Sequence, residues 1–227
     1  TDQQPESGIT FRHRSVEDTA RTYKAVHYDH GNGIAVADID NDGWLDILFV
    51  TQVGGNELWR NIGGGKFENI TNKAGVALTD HISVSASFAD IDNDGDSDLY
   101  ITTVRKGNRL YENMGDGAFR DITDSSGTGH QAHSSSATFF DYDNDGLLDL
   151  FVTNVGQYTS DELRQASNDG VNYEFYDGFS DAFAGHLKPD RFEQSILYHN
   201  EGDNRFLDVS EQVGLQDMGW AGDAAAG

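Results

Sequence analysis

Asp38-Ile39-Asp40-Asn41-Asp42-Gly43-Trp44-Leu45-Asp46 is an acidic loop set between two apolar runs, and the chain carries it three times. The other copies are Asp90-Ile91-Asp92-Asn93-Asp94-Gly95-Asp96-Ser97-Asp98 and Asp141-Tyr142-Asp143-Asn144-Asp145-Gly146-Leu147-Leu148-Asp149. The shared pattern is D-x-D-x-D-G-x-x-D, and the copies start 52 and 51 residues apart. Two carboxylates ~4 Å apart repel by ~4 kcal/mol at an effective dielectric near 20. Four held in one tight turn therefore ask for a hard cation between them.

The repetition extends well beyond the acid loop. Leu58 in Asn56-Glu57-Leu58-Trp59-Arg60-Asn61 and Leu110 in Asn108-Arg109-Leu110-Tyr111-Glu112-Asn113 each lie twelve residues past a loop's last Asp. A third version, Ser195-Ile196-Leu197-Tyr198-His199-Asn200, arrives about 36 residues late. Six residues past each closing Asn stands Phe67, Phe119 or Phe206, with a hydroxyl at +4 (Thr71, Thr123, Ser210) and a Gly at +8 (Gly75, Gly127, Gly214). One supersecondary unit is thus used three times.

Each unit reads as four short strands. The first spans Gly33–Ala37, Val84–Ala89 and Ser135–Phe140, with small residues on one face and Val36, Phe88 or Phe139 on the other. The second spans Ile47–Thr51, Leu99–Thr103 and Leu150–Asn154, nearly continuous apolar runs that suit burial on both faces. The third carries Leu followed by Trp or Tyr, and a Gly-rich turn leads to the fourth at the Phe. Four antiparallel strands in about 50 residues is the size of a β-propeller blade, so the expected fold is all-β.

The expected organisation is a lead-in over 1–30, then blade repeats at 31–80, 81–129 and 130–217, the last with an insertion at 156–191. A short helix is expected around Ser160–Ala166 in that insertion. Its aromatic residues, including Tyr158, Tyr173, Phe175 and Tyr176, form either a partner-binding surface or a small core of their own. Glu6-Ser7-Gly8-Ile9 matches the linkers Lys73-Ala74-Gly75-Val76 and Gln212-Val213-Gly214-Leu215. Residues 218–227 read as the start of a further repeat, whose first Asp would fall just beyond Gly227. Propellers usually close with about 4–8 blades. The rest of a longer chain, or a second chain, is therefore expected to complete this one.

Composition narrows the function. A net charge of −24, from 39 acidic and 15 basic residues, argues against nucleic acid and against binding anionic membranes through charge alone. The loops alone hold 13 of the acidic side chains. A 37% hydrophobic and 11% aromatic content opposes disorder. With no cysteine there is no disulfide, thiolate metal site or cysteine nucleophile. No apolar run is long enough for a transmembrane helix.

The donor set points to three calcium sites. Asp38, Asp40, Asp42 and Asp46 supply carboxylates in the first loop, and the Trp44 carbonyl can face inward. The second loop offers Asp90, Asp92, Asp94, Asp96 and Asp98; the third offers Asp141, Asp143, Asp145, Leu147 and Asp149. Oxygen-only ligation selects calcium over zinc and copper, and magnesium prefers stricter geometry with retained water. An EF-hand needs a Glu at position 12 between helices. Position 12 here is Phe49, Ile101 or Val152, each in an expected strand.

These runs resemble FG-GAP/VCBS repeats, which build the integrin α-subunit type of propeller and bind calcium in this loop. With the Leu-(Trp/Tyr)-x-Asn, Phe and Gly marks added, the chain is similar to secreted proteins of the cartilage acidic protein and UnbV type. The resemblance implies a secreted or cell-surface calcium-binding module for protein or glycan partners. The same repeat also occurs in extracellular polysaccharide- or lipid-degrading enzymes. No nucleophile elbow, phosphate loop or H-E-x-x-H motif is present, so an enzyme is not expected. His30, His81, His133 and Trp220 stand at related places before the loops and form a candidate site at one mouth of the propeller channel.

Overall fold

The computed structural model describes residues 4–17 and 33–215, with Ala221 and Ala224. Three four-stranded antiparallel sheets follow one another along the chain. The first contains β1 (Ile34–Ala37), β2 (Asp46–Phe49), β3 (Glu57–Asn61) and β4 (Phe67–Asn69). The second contains β5 (Ser83–Ala89), β6 (Asp98–Thr103), β7 (Arg109–Asn113) and β8 (Phe119–Asp121). The third contains β9 (Ser134–Phe140), β10 (Asp149–Asn154), β13 (Ile196–Asn200) and β14 (Phe206–Asp208), with a two-stranded sheet, β11 (Thr159–Asn168) and β12 (Val171–Gly178), inserted in its middle. In each sheet, strands adjacent in that order are hydrogen-bonded neighbours, as successive propeller blades require.

The sheets stack face to face. Ala35, Leu48 and Val50 of the first pack with Leu99, Ile101 and Tyr111 of the second. Tyr100 and Leu110, on the opposite face of the second, pack with Leu150, Val152, Tyr198 and Phe206 of the third. Every residue of β6 is buried, because both of its faces meet a neighbouring sheet. The small residues of the first strands permit close approach: a Cβ on Gly33 would lie 2.8 Å from Val50 Cγ2 and 3.0 Å from Ser85 Cα. Between the next two sheets, Ser87 Oγ donates to the Ala137 carbonyl at 2.6 Å.

The Phe-hydroxyl-Gly marks build the joints between sheets. Thr71 Oγ1 accepts from Leu58 N–H at 2.9 Å, and Thr123 and Ser210 accept from Leu110 and Leu197 at 3.0 Å. One helical turn follows in two joints, α2 (Thr71–Ala74) and α3 (Thr123–Ser126), each ended by a left-handed Gly, Gly75 at φ 79° and Gly127 at φ 80°. Asn69, Asp121 and Asp208 each accept the N–H two residues on, so the sequon-like Asn69-Ile70-Thr71 is one version of the joint. At the other end, the turn α1 (Gln4–Ser7) leads into Gly8 at φ 82°, where a Cβ would lie 3.3 Å from the Phe67 carbonyl. Gly127 approaches the Phe206 carbonyl in the same way, at 3.4 Å. The sequence match between the Gly8 and Gly75 linkers is therefore also a match in docking, since a Cβ on Gly75 would lie 3.8 Å from the Phe119 carbonyl. Among the described residues, nothing lies within 4 Å of a Cβ on Gly214.

The insertion corrects one expectation. Ser160–Ala166 is not helical; it lies inside strand β11. Asn168 pairs with Val171, leaving Asp169 and Gly170 as a two-residue turn with φ of 49° and 80°. An Asp-Gly pair with both φ positive is a hairpin signal strong enough to override a short helical pattern. The hairpin packs over the ends of the sheets opposite the acidic loops. There Tyr158, Phe175 and Ala182 join Val53, Ile82, Val84, Val104 and Val155 in one buried cluster.

Candidate metal centre

Each acidic loop folds around its first Asp. Asp38 Oδ1 accepts from Asp42 N–H at 3.1 Å and Oδ2 from Gly43 N–H at 2.8 Å. Asp90 and Asp141 repeat this with Asp94 and Gly95, and with Asp145 and Gly146. Asn41, Asn93 and Asn144 take φ of 55°, 61° and 62°, and Gly43, Gly95 and Gly146 take 88°, 94° and 90°. Short polar residues and Gly tolerate that backbone. The result brings ligand atoms of Asp38, Asp40 and Asp42 within 4.8 Å of one another, and likewise Asp90, Asp92 and Asp94, and Asp141, Asp143 and Asp145. Trp44, Asp96 and Leu147 each donate their N–H to the fifth-position carboxylate at 2.8 Å.

The ninth-position Asp does something the sequence reading missed. Asp46, Asp98 and Asp149 are buried, and each grips two backbone N–H groups. Asp46 accepts from Ile39 at 3.0 Å and Asn61 at 2.7 Å; Asp98 from Ile91 at 3.0 Å and Asn113 at 2.8 Å; Asp149 from Tyr142 and Asn200, both at 2.9 Å. The residue thus ties its loop to the third strand of the same sheet, and each oxygen keeps a further lone pair. Burial pushes the Asp46 carboxyl up, against two N–H bonds that pull it down. The same burial, with Asp92 and Asp94 nearby, pushes Asp98 up to about 7. A cation between these carboxylates would relieve both.

The oxygen-only donor set fits calcium, and one atom tests the fit directly. Asp40 Oδ1 is buried with no hydrogen-bond partner among the described residues, so its lone pairs stay open to a cation or a water. The loops also touch one another: Asn41 Nδ2 donates to Asp96 Oδ1 at 2.6 Å, and Asn93 Nδ2 to the Gly146 carbonyl at 3.1 Å. Asn113 Nδ2 reaches back to the Ile39 carbonyl at 2.9 Å, and Asn200 Nδ2 to the Ile91 carbonyl at 2.8 Å, each bonding to the preceding loop. In the sequence these Asn residues appeared only as repeat marks.

One strand position differs among the three centres. Arg60 Nη1 lies 3.5 Å from Asp40 Oδ2. At the same register Glu112 bonds to Arg120, with Nε 3.0 Å from Oε2. In the third sheet His199 Nδ1 lies 3.1 Å from Asp149 and 3.7 Å from Asp143. The only signal for His199 in the sequence was its place one residue before the closing Asn.

Among the other expected site residues, His30 and Trp220 lie outside the described residues. His81 is buried, with Nδ1 2.7 Å from Asp80 and Nε2 3.0 Å from Arg109. His133 is buried against Tyr158, with Nδ1 2.9 Å from Glu193 and Nε2 2.7 Å from Thr159 Oγ1. Among the described residues, neither His belongs to a group of three acidic or imidazole side chains close enough to share a metal. Tyr158 and Phe175 are core residues, Tyr173 takes the Glu17 N–H on its hydroxyl, and Arg105 sits 4.2 Å over the Tyr176 ring.

The family of FG-GAP-like repeats matches residues 38–101 and 90–152, together just over half of the chain. The chain belongs to the FG-GAP-like repeat family. Each matched segment opens on a loop's first Asp and runs through the next loop into its second strand. This FG-GAP-like chain is similar to cartilage acidic protein 1 of Xenopus tropicalis, 30% identical over 131 residues, which cover 56% of this chain and 20% of that protein. The mouse and human proteins of the same name are 29% and 28% identical over 153 residues, covering 66% of this chain and 24% and 23% of theirs. The alignments thus span about a quarter or less of these relatives. Among the described residues, no helix is long and apolar enough to cross a membrane.

Proposed function

We propose that the chain is a non-catalytic calcium-binding propeller segment, acting outside the cell as a protein-interaction or adhesion module. The observation that carries this reading is the three-fold cluster of first-, third- and fifth-position Asp ligand atoms within 4.8 Å. Asp38, Asp40 and Asp42 would hold the first ion, Asp90, Asp92 and Asp94 the second, and Asp141, Asp143 and Asp145 the third, each with the ninth-position Asp behind. Bound calcium supplies positive charge to the cluster and fixes the turn between first and second strands. The chain's own residues supply the rest: the first Asp shapes the turn and the ninth ties it to the third strand. An extracellular setting agrees with sites of modest affinity, because calcium is abundant there.

The acidic loops occupy one end of the sheets, and the inserted hairpin covers the other. A partner, protein or glycan, would meet the outer surface of that hairpin, since its buried aromatics are committed to packing. The calcium reading is tested by thermal unfolding in calcium and in excess chelator. At ~100-fold saturation each site adds ~2.7 kcal/mol of stability, so the Tm should rise by several degrees with calcium. A Tm indifferent to chelator would overturn it.

A further inference from the structure

The three centres differ in one neighbour, and that neighbour sets the charge each loop feels. Arg60, on β3, projects to the first loop, where Nη1 lies 3.5 Å from Asp40 Oδ2. Its other terminal nitrogen lies 3.1 Å from Glu68 Oε2 on β4, and its Nε is buried without a hydrogen-bond partner. The guanidinium is therefore shared between a loop carboxylate and a strand carboxylate, and fully satisfied by neither. Asp40 keeps its other oxygen, Oδ1, buried and unpartnered. At the equivalent places stand Glu112, already paired with Arg120, and His199. Among the described residues, only the first loop has a permanent cation of its own on a third-position Asp.

We infer that Arg60 is a resident counter-ion of the first loop, so that this loop takes calcium more weakly than the second, and that calcium entry there moves Arg60 fully onto Glu68. The inference rests on the calcium reading above. Calcium–oxygen distances are about 2.3–2.6 Å, so an ion on Asp40 would sit within roughly 6 Å of the guanidinium nitrogen through Oδ2 and within roughly 8 Å through Oδ1. Even at the dielectric of bulk water, a unit charge ~6–8 Å from a divalent ion weakens binding about six- to tenfold. The second loop carries no such penalty; its Asp92 receives a neutral amide, Asn204 Nδ2, at 3.3 Å.

The first loop also contains its own reporter. Trp44 occupies the seventh position, where the other loops have Asp96 and Leu147. Terbium luminescence excited through tryptophan, with Trp44→Phe as the control that removes it, reads the first loop. Calcium calorimetry reads all sites together. Arg60→Gln should tighten the Trp44-reported step about six- to tenfold and leave the remaining steps unchanged, while Arg60→Lys should stay near the parent. A circular dichroism spectrum matching the parent shows that each variant is folded. A first loop that fills together with the others in the parent, or an Arg60→Gln step that does not tighten, would overturn this inference alone. No uptake of either metal by parent or variants would overturn the calcium reading and this inference with it.

Discussion

At the scale of single residues, the ninth-position Asp shows how one buried carboxylate braces a loop against a strand. Asp98 is buried and takes two backbone N–H groups from different parts of its sheet. Asp98→Ala would leave both donors unpaired, at a cost of roughly 2–5 kcal/mol. Urea unfolding should show that loss even in excess chelator. Asp92→Ala, by contrast, gives up only two long hydrogen bonds, from Asn204 and Asp94, so most of its loss of stability should appear only when calcium is present. His81 gives a pH signature. Burial lowers its pKa, the Asp80 contact opposes this, and Arg109 and Lys106 add to the lowering. The unfolded chain takes up its proton near pH 6.5, before the folded chain does. Stability is therefore full above pH 6.5 and falls as the pH drops toward the lower folded value. His81→Gln can keep contacts to Asp80 and Arg109 without titrating. Urea midpoints at pH 7.5 and 5.5 should differ less in that variant than in the parent.

At the scale of elements, the strands were legible because their signals are local. A loop of Asp, Asn and Gly at fixed spacing sets where one strand ends and the next begins, and the Phe-hydroxyl-Gly marks set the joint. Even the joint's mechanism follows from its letters: a hydroxyl that takes the Leu58 N–H, then a Gly at φ 79° that ends the turn. The inserted hairpin was the exception. Asp169-Gly170 is as local a signal as the acidic loops, but it sits in an unrepeated segment where no second copy reinforces it. The ten residues of β11 alternate in burial over Leu163–Asn168, the period of a half-buried strand rather than of a helix.

At the scale of the molecule, stability is distributed between sheet faces and the cover across their ends. Tyr158 and Phe175 share one buried cluster with Val84 of β5 and with Val53 and Val104, which follow β2 and β6. Replacing residues 157–190 by a short Gly-Ser linker should expose those valines. The expected result is a Tm lower by several degrees and increased binding of a hydrophobic dye, with the three sheets retained by circular dichroism. An unchanged Tm would show that the sheets hold together without the cover.

By itself the sequence determined the unit: its strand order, its tight turns, the acid loop and the oxygen chemistry that loop offers. Those properties live within about ten residues, where backbone sterics and spacing decide the outcome. Only the tertiary structure decided which distant side chains meet at each loop. It put Asn113 on the loop of the preceding sheet, Arg60 beside Asp40, and His199 beside Asp149. It also turned the insertion's aromatics inward rather than outward. The last two pairs join a third strand to a loop 20 and 50 residues earlier. Such contacts depend on how strands align and sheets stack, which a short-range pattern does not encode.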